Sequence, residues 1–439
     1  MQALRMKGRL LLRIYFCRGA LTAALATAGI ASLISYTSAQ SRNPIDQVLR
    51  QAVVEKKVPG IVAMVAVGDH VTYKGAAGKQ DSIKNSPVTV DSIFRIASMT
   101  KPITSVTVMR LVESRRVKLD EPAATYLPEL SQVRVLEEFD AGTGNAQLRP
   151  PNSPPTVRQL LSHTSGFGYE FFDARLHGYA ASGAVASILQ GDDAFLKAPL
   201  LFDPGARWEY GISTDWLGKL VEKVSGQTLA DYFREHIFQP LGMTDTFFDV
   251  PPEKQARVVA VHQRQENGSV VEPPPQPFKP VRFFSGGGGL YSTASDYLKF
   301  TRMLLGGGKL GNKRILQSET VEEMSRNQIG DLTLVDLRSF IPQFAKDPSR
   351  IPGSLDKFGL GFGINTKPVD DGRSRGSLAW AGIYNTFFWI DPSRKSCAVI
   401  LMQILPFSDD AATSVVEDFE RAVYAHLPTS GKRRVDAAR

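Results

Sequence analysis

The sequence predicts an α+β fold, an antiparallel β-sheet flanked by N- and C-terminal helices with a helical lobe inserted between its strands. Three observations carry this. Short apolar runs separated by tight turns lie near both ends of the chain, amphipathic spacing flanks them on the outside, and a long middle stretch keeps helical spacing. At 439 residues the chain exceeds the roughly 250–300 at which a single core stops growing, so a two-lobed body is expected. With 43% hydrophobic and 22% charged residues the composition is that of a globular protein, and it excludes a disordered, collagen-like or multi-span membrane chain.

In chain order, residues 1–39 read as a secretory signal peptide. Arg5, Lys7, Arg9, Arg13 and Arg18 form a positive leader without an acidic residue, and Leu21 to Ile34 is apolar or small throughout. That run is too short to span a bilayer comfortably, and Thr37-Ser38-Ala39 offers small residues for cleavage after Ala39. The expectation is export to the periplasm or medium, with an uncleaved N-terminal anchor as the alternative. Export alters the charge balance. Without the five leader charges, 52 basic against 44 acidic residues becomes 47 against 44, so the net charge falls from +8 to +3 and nucleic acid is a poor partner. Cys17 leaves with the leader, and Cys397 alone allows neither an internal disulfide nor a cysteine-based zinc site.

One folded domain is then expected over residues 40–427. Ile45, Val48, Leu49, Ala52 and Val53 recur at helical spacing until Pro59-Gly60 stops them. Ile61 to Val67, the turn Gly68-Asp69-His70 and Val71 to Lys74 predict a hairpin with a buried first strand. Its counterpart is Thr386 to Ile390, the turn Asp391 to Lys395, and Cys397 to Ile404, followed by a helix from Asp409 to about Leu427. Between them, helical spacing from Thr104 to about Phe248 and the proline-rich stretches 149–155 and 272–280 place the inserted lobe at about 104–280. Residues 428–439 read as a basic, frayed tail.

The chemistry begins at Ser98-Met99-Thr100-Lys101. The stripe Ile103, Val106, Met109 and Val112 follows, so Ser98 falls in the first turn of a helix with Lys101 one turn on, on the same face. A serine hydroxyl is a weak nucleophile. A lysine within hydrogen-bond reach in a partly desolvated cleft can take its proton, and the free N–H groups of the helix start favour attack on an acyl carbon. The same four-residue pattern recurs at Ser354-Leu355-Asp356-Lys357, but between Pro352-Gly353 and Gly359, which predicts a loop. Gly372-Arg373-Ser374-Arg375-Gly376 fits the Gly-x-Ser-x-Gly pattern. Without the required strand, sharp turn and helix, Ser374 reads as an exposed turn residue.

Further residues in order make the chain resemble a known family: Ser98-Met99-Thr100-Lys101, Leu161 to Phe167, Tyr210, Ser285 to Asp296, and Trp380-Ala381-Gly382. This series is similar to the serine β-lactamase and penicillin-binding-protein fold, above all to the class C-like esterases called family VIII carboxylesterases, over residues 44 to 427. The resemblance implies that Ser98 is acylated, that Lys101 shares its proton, and that Tyr210 acts as base and then as acid toward the leaving group. It also implies an oxyanion hole from the backbone amides of Ser98 and Ile383, with Trp380 and Gly382 on the substrate-binding strand. The blander reading of Tyr210 and Trp380 is aromatic packing.

Two departures from the family pattern point away from antibiotics. Ile212 stands where class C β-lactamases carry asparagine, and Trp380 replaces the lysine of Lys-Thr-Gly. An apolar wall suits an uncharged ester better than a β-lactam carboxylate, so an esterase is expected, with a β-lactamase or D,D-peptidase as the alternative and a penicillin-binding sensor or scaffold as the non-enzymatic one. The substrate is a small-molecule ester or β-lactam-like compound. No cofactor and no metal are implied: the histidines lack metal-binding spacing, Gly286 to Gly289 lacks the lysine of a phosphate loop, and His163 reads as a residue that pins a turn by hydrogen bonding.

Overall fold

The computed structural model describes residues 43–55, 57–81, 85–353 and 355–427. The leader, Cys17, Ser354 and the basic tail, on which expectations were placed, lie outside the described residues.

Helix α1 (Pro44–Val54) starts where Asn43 caps it, its side chain accepting from the Ile45 amide, and Pro44 occupies the first turn. It leads into β1 (Gly60–Val67), β2 (His70–Asp81) and β3 (Ser86–Pro87). The central body contributes α2 (Thr100–Glu113), α3 (Ser213–Ser225) and α4 (Ala294–Leu305). The chain then returns to the sheet with β4 (Leu355–Phe358), β5 (Gly363–Asn365), β6 (Leu378–Gly382), β7 (Thr386–Asp391) and β8 (Ser396–Leu401), and closes with α5 (Asp410–His426), capped by Asp409.

These strands form one antiparallel sheet in the order β4-β5-β6-β7-β8-β1-β2-β3, so the first and last hairpins meet at the β1–β8 pair, Val62 opposite Leu401 and Val65 opposite Ala398. Side chains alternate between two buried faces. Ile61, Ala63, Val65, Trp389 and Ile400 pack beneath α1 and α5 against Leu49, Val416 and Phe419. Val62, Met64, Phe388 and Val399 face α4 and the central body. Burial on both sides explains why β1 and β8 are continuous apolar runs and not alternating ones. The expected α+β architecture with terminal helices on an antiparallel sheet is therefore present.

The middle differs in detail. Residues read as helical include a β-hairpin, Val135–Asp140 with Asn145–Arg149, and several one-turn helices. Helix α2 was expected to carry an apolar stripe; it is buried almost all round, from Thr100 through Met109. Its hydroxyls permit this, because Thr107 Oγ1 donates to the Ile103 carbonyl (2.8 Å) and Thr104 Oγ1 to the Gly286 carbonyl (2.7 Å). The second bond fastens the Ser285–Gly289 segment to α2. Tyr297 of α4 adds a bond from its hydroxyl to the Met99 carbonyl (2.8 Å). No described helix is long and apolar enough to cross a membrane.

Candidate active site

Ser98 sits in a tight 3-10 turn, Ala97–Met99, that runs directly into α2. Two contacts fix the turn. Phe94–Arg95 pairs with Tyr291–Ser292, and the Ile96 amide donates to the Leu290 carbonyl (3.0 Å). Ala97 is held at φ +42°, a conformation unfavourable for a residue with a Cβ, so the surrounding contacts impose local backbone strain beside Ser98.

Lys101, one turn further, is only 2% exposed, and its ammonium donates to three acceptors: Ser98 Oγ (3.2 Å), Tyr169 Oη (2.9 Å) and the Gly287 carbonyl (2.7 Å). An ammonium has three donors, and all three are satisfied, as burial of a charge requires. Tyr210 reaches the same cation differently. Its ring lies 4.7 Å from Lys101 Nζ, while its hydroxyl accepts a long bond (3.4 Å) from the indole N–H of Trp380. Tyr169, Trp380 and His163 pack around the Tyr210 ring at centroid distances of 5.1–5.2 Å.

The buried groups around Lys101 are shifted in ways that follow from their surroundings. Burial, and next the nearby Asp215 and Tyr210, push the Tyr169 phenol well above its ordinary value, so it is held neutral. Burial, followed by the Lys101 charge, pushes His163 well below the usual imidazole range. Burial likewise raises Asp215, opposed by Lys101 and by the donors Ser285 and Gly287.

Ser98 opens onto a cavity of about 550 Å³, within the range typical of small-molecule sites. Trp380, Gly382 and Ile383 form one wall with Ser98, and Phe171, Phe172, Phe195, Phe283, Leu334 and Phe344 make most of the remainder apolar. Gly382 is required by packing: a Cβ there would lie 2.3 Å from the Ile96 carbonyl oxygen. The structure thus gathers Ser98, Lys101, Tyr210, Trp380, Gly382 and Ile383 around one space. Ser374 is elsewhere, in a half-buried turn whose amide donates to Asp391, and a strand follows it where the rival motif needs a helix. Among the described residues no group of three or more His, Cys, Asp or Glu side chains could hold a metal ion.

Three expectations need correcting: Leu355 to Lys357, expected in a loop, belong to strand β4; Ser374, expected exposed, is half-buried; and His163 is held differently. His163 does occupy a turn, at φ +57°, but its Nδ1 is buried without a hydrogen-bond partner among the described residues. The ring holds its place by edge packing on Tyr210, Trp208 and Phe358, and the turn is pinned by its backbone carbonyl, which accepts from the Glu209 amide (2.9 Å). Sequence reasoning also missed Tyr169 and Asp215 as members of the site. Each follows a matched motif closely, Tyr169 two residues past Phe167 and Asp215 five past Tyr210, but nothing local announces where its polar atoms point.

A serine hydrogen-bonded to a buried lysine, beside strand β6 of an antiparallel sheet and at the start of a central helix, defines a serine hydrolase or acyltransferase of the β-lactamase and transpeptidase type. Comparison with known proteins agrees: the model of the family described as Beta-lactamase matches residues 45–420, and the chain belongs to that family. It is similar to monacolin J acid methylbutanoyltransferase of Aspergillus terreus, 32% identical over 87% of this chain and 95% of the relative. Similarity to the lovastatin esterase of Penicillium rubens is 28% identity over 87% and 98% of the two chains. Among solved structures, a LovD6 mutant of simvastatin synthase from Aspergillus terreus superimposes with a TM-score of 0.76, at 32% identity over 88% of this chain and 96% of that one.

Proposed function

We propose that this chain cleaves or transfers the acyl group of apolar, uncharged carboxylic esters through an acyl-enzyme on Ser98. The observation that carries the reading is the Lys101 ammonium 3.2 Å from Ser98 Oγ, buried at the edge of an apolar cavity. In the acylation step the Lys101–Tyr210 pair reacts one proton short, as ammonium and phenolate or as amine and phenol; Ser98 Oγ bonds to the ester carbonyl carbon, its proton passes to that basic member, and the carbon–oxygen bond to the alcohol breaks as the proton is delivered to the leaving oxygen. Water or a second alcohol then adds to the acyl carbon, gives its proton to the same pair, and restores the serine as its proton returns. The backbone amides of Ser98 and Ile383 are assigned to the oxyanion. Tyr169 is assigned as the acceptor that orients Lys101, on its 2.9 Å bond to the ammonium, and Tyr210 as the proton carrier, on the resemblance to the family and on its ring beside the same cation.

Trp380 on the cavity wall supports an ester over a β-lactam, since it offers no ionic partner for a carboxylate. The mainly apolar walls, together with relatives named as acyltransferases, favour an alcohol as an acceptor beside water. Export belongs to the same proposal and rests on the leader; N-terminal sequencing of the secreted protein should begin at Gln40. Mass spectrometry after a fluorophosphonate probe tests the site, with label expected on Ser98 and lost in Ser98→Ala. Short p-nitrophenyl esters should be turned over repeatedly. Fast nitrocefin hydrolysis without ester turnover would reverse the substrate assignment, and a single acylation without turnover would support the sensor reading.

A further inference from the structure

We propose that Asp215 is a positioning residue for Lys101: it holds the Gly287 carbonyl against the ammonium and supplies the buried negative charge that balances it. This rests on the acyl-enzyme reading and deepens it. Asp215 lies in the first turn of α3 and is wholly buried. Its Oδ1 accepts from Ser285 Oγ (2.6 Å) and from the Gly287 amide (3.0 Å), while the carbonyl of the same Gly287 accepts from Lys101 (2.7 Å). One residue thus faces the carboxylate with its N–H and the lysine with its C=O. Only glycine allows this approach, because a Cβ at position 287 would sit 2.4 Å from Asp215 Oδ2.

That second oxygen is the unexplained feature. Among the described residues, Oδ2 is buried without a hydrogen-bond partner. A carboxylate in this position is costly unless a nearby charge offsets it, and Lys101 is the cation that stabilises it. The titratable groups around the pair are Lys101 from α2, His163 and Tyr169 from the segment after Leu161, and Tyr210 ahead of α3. Removing a negative charge destabilises an ammonium and stabilises a phenolate. Lys101, Tyr169 and Tyr210 should therefore all release their protons at lower pH, whichever of them limits the rate.

The test is Asp215→Asn in the full chain, which keeps an acceptor for Gly287 and Ser285 and removes the charge. The readouts are the pH dependence of fluorophosphonate labelling at Ser98 and of kcat/KM for p-nitrophenyl butyrate. The acid limb of both profiles should move down by about 1–2 pH units, the size expected when a neighbouring opposite charge is removed from a buried site. Any change on the plateau should be in kcat with KM little changed, since Asp215 does not line the cavity. A residue that merely supports the fold would lower activity without moving the limb. Superimposable profiles, with the wild type labelled at Ser98, would overturn the Asp215 assignment alone; a wild type that is never labelled at Ser98 would take the acyl-enzyme reading with it. Should Asp215→Asn not fold, Asp215→Ser decides: it removes the same charge and leaves a hydroxyl as acceptor, so it should move the limb the same way, and no movement refutes the proposal.

Discussion

Replacing Gly382 by alanine tests how tightly the oxyanion strand is seated on the nucleophile turn. The added Cβ would lie 2.3 Å from the Ile96 carbonyl oxygen and 2.4 Å from Thr386 Oγ1. An unstrained carbon–oxygen contact is about 3.3 Å, so β6 and the turn must separate by about 1 Å. Ile96 precedes Ala97 and Ser98 directly, and Ile383 follows Gly382, so the movement acts on the spacing between the two assigned oxyanion donors. Misplacement on that scale costs on the order of 10²-fold in rate, while overpacking of this kind costs about 1–3 kcal/mol of stability. The assay is kcat/KM for p-nitrophenyl butyrate beside a thermal melt. Gly288→Ala is the control: it lies on the same cavity, and its Cβ meets nothing nearer than 3.9 Å. A Gly382→Ala enzyme that melts lower yet keeps wild-type kcat/KM would refute the assignment of Ile383 to the oxyanion hole.

Two further outcomes follow from the same geometry. Tyr210→Phe should lower kcat by about 10²–10⁴-fold, the range for loss of a general acid–base group, whereas Tyr169→Phe, which removes an acceptor from Lys101 without removing the proton carrier, should cost less; the reverse ranking under single-turnover conditions would exchange their roles. Glu209, beside Tyr210, is pushed up to about 7, mainly by burial. A carboxyl raised on folding stabilises the native state most below its unfolded value near 4.5, and that contribution is lost as pH rises toward 7. Glu209→Gln should therefore gain stability relative to the wild type between pH 4.5 and 7, by up to about 3 kcal/mol, read from denaturant melts at the two ends; a pH-independent difference would contradict the shift.

What could be read from the chain divides by distance along it. The Ser98–Lys101 pair was legible because three residues on a helical turn fix their own geometry. The sheet was legible because β1 and β8 are apolar on both faces, a pattern that survives without knowledge of partners. Tyr210, Trp380 and Ile383 lie more than a hundred residues from Ser98, and only the resemblance of ordered motifs brought them in. The hairpin at 135–149 was read as helical because Leu136 and Phe139 imitate i, i+3 spacing. The stripe Ile103, Val106, Met109 and Val112 marked one buried face of helix α2 but not the burial of its other faces, which the Thr104 and Thr107 hydroxyls permit by satisfying themselves on carbonyls. Tyr169 and Asp215 were invisible as site residues for the same reason: hydrogen-bond direction is a tertiary property.

The missed residues and the apolar wall belong to one physical requirement. Lining the cavity with Trp380 and phenylalanines lowers the local dielectric and strengthens the pull of Ser98's neighbours on its proton, but the same change makes a lone ammonium untenable. Lys101 can be 2% exposed because three acceptors fill its donors. Two of those acceptors, Tyr169 and the Gly287 carbonyl, come from segments far from it in sequence. A pocket kept dry by Trp380 and its phenylalanines thus depends more heavily on the glycine loop that holds Lys101 than a wetter, more polar site would. Shortening Ser285–Gly289 by one glycine should accordingly abolish labelling of Ser98 while α1, α5 and the sheet remain folded, which circular dichroism and the fluorophosphonate probe can read on the same sample; retained labelling would show that Lys101 does not need that loop.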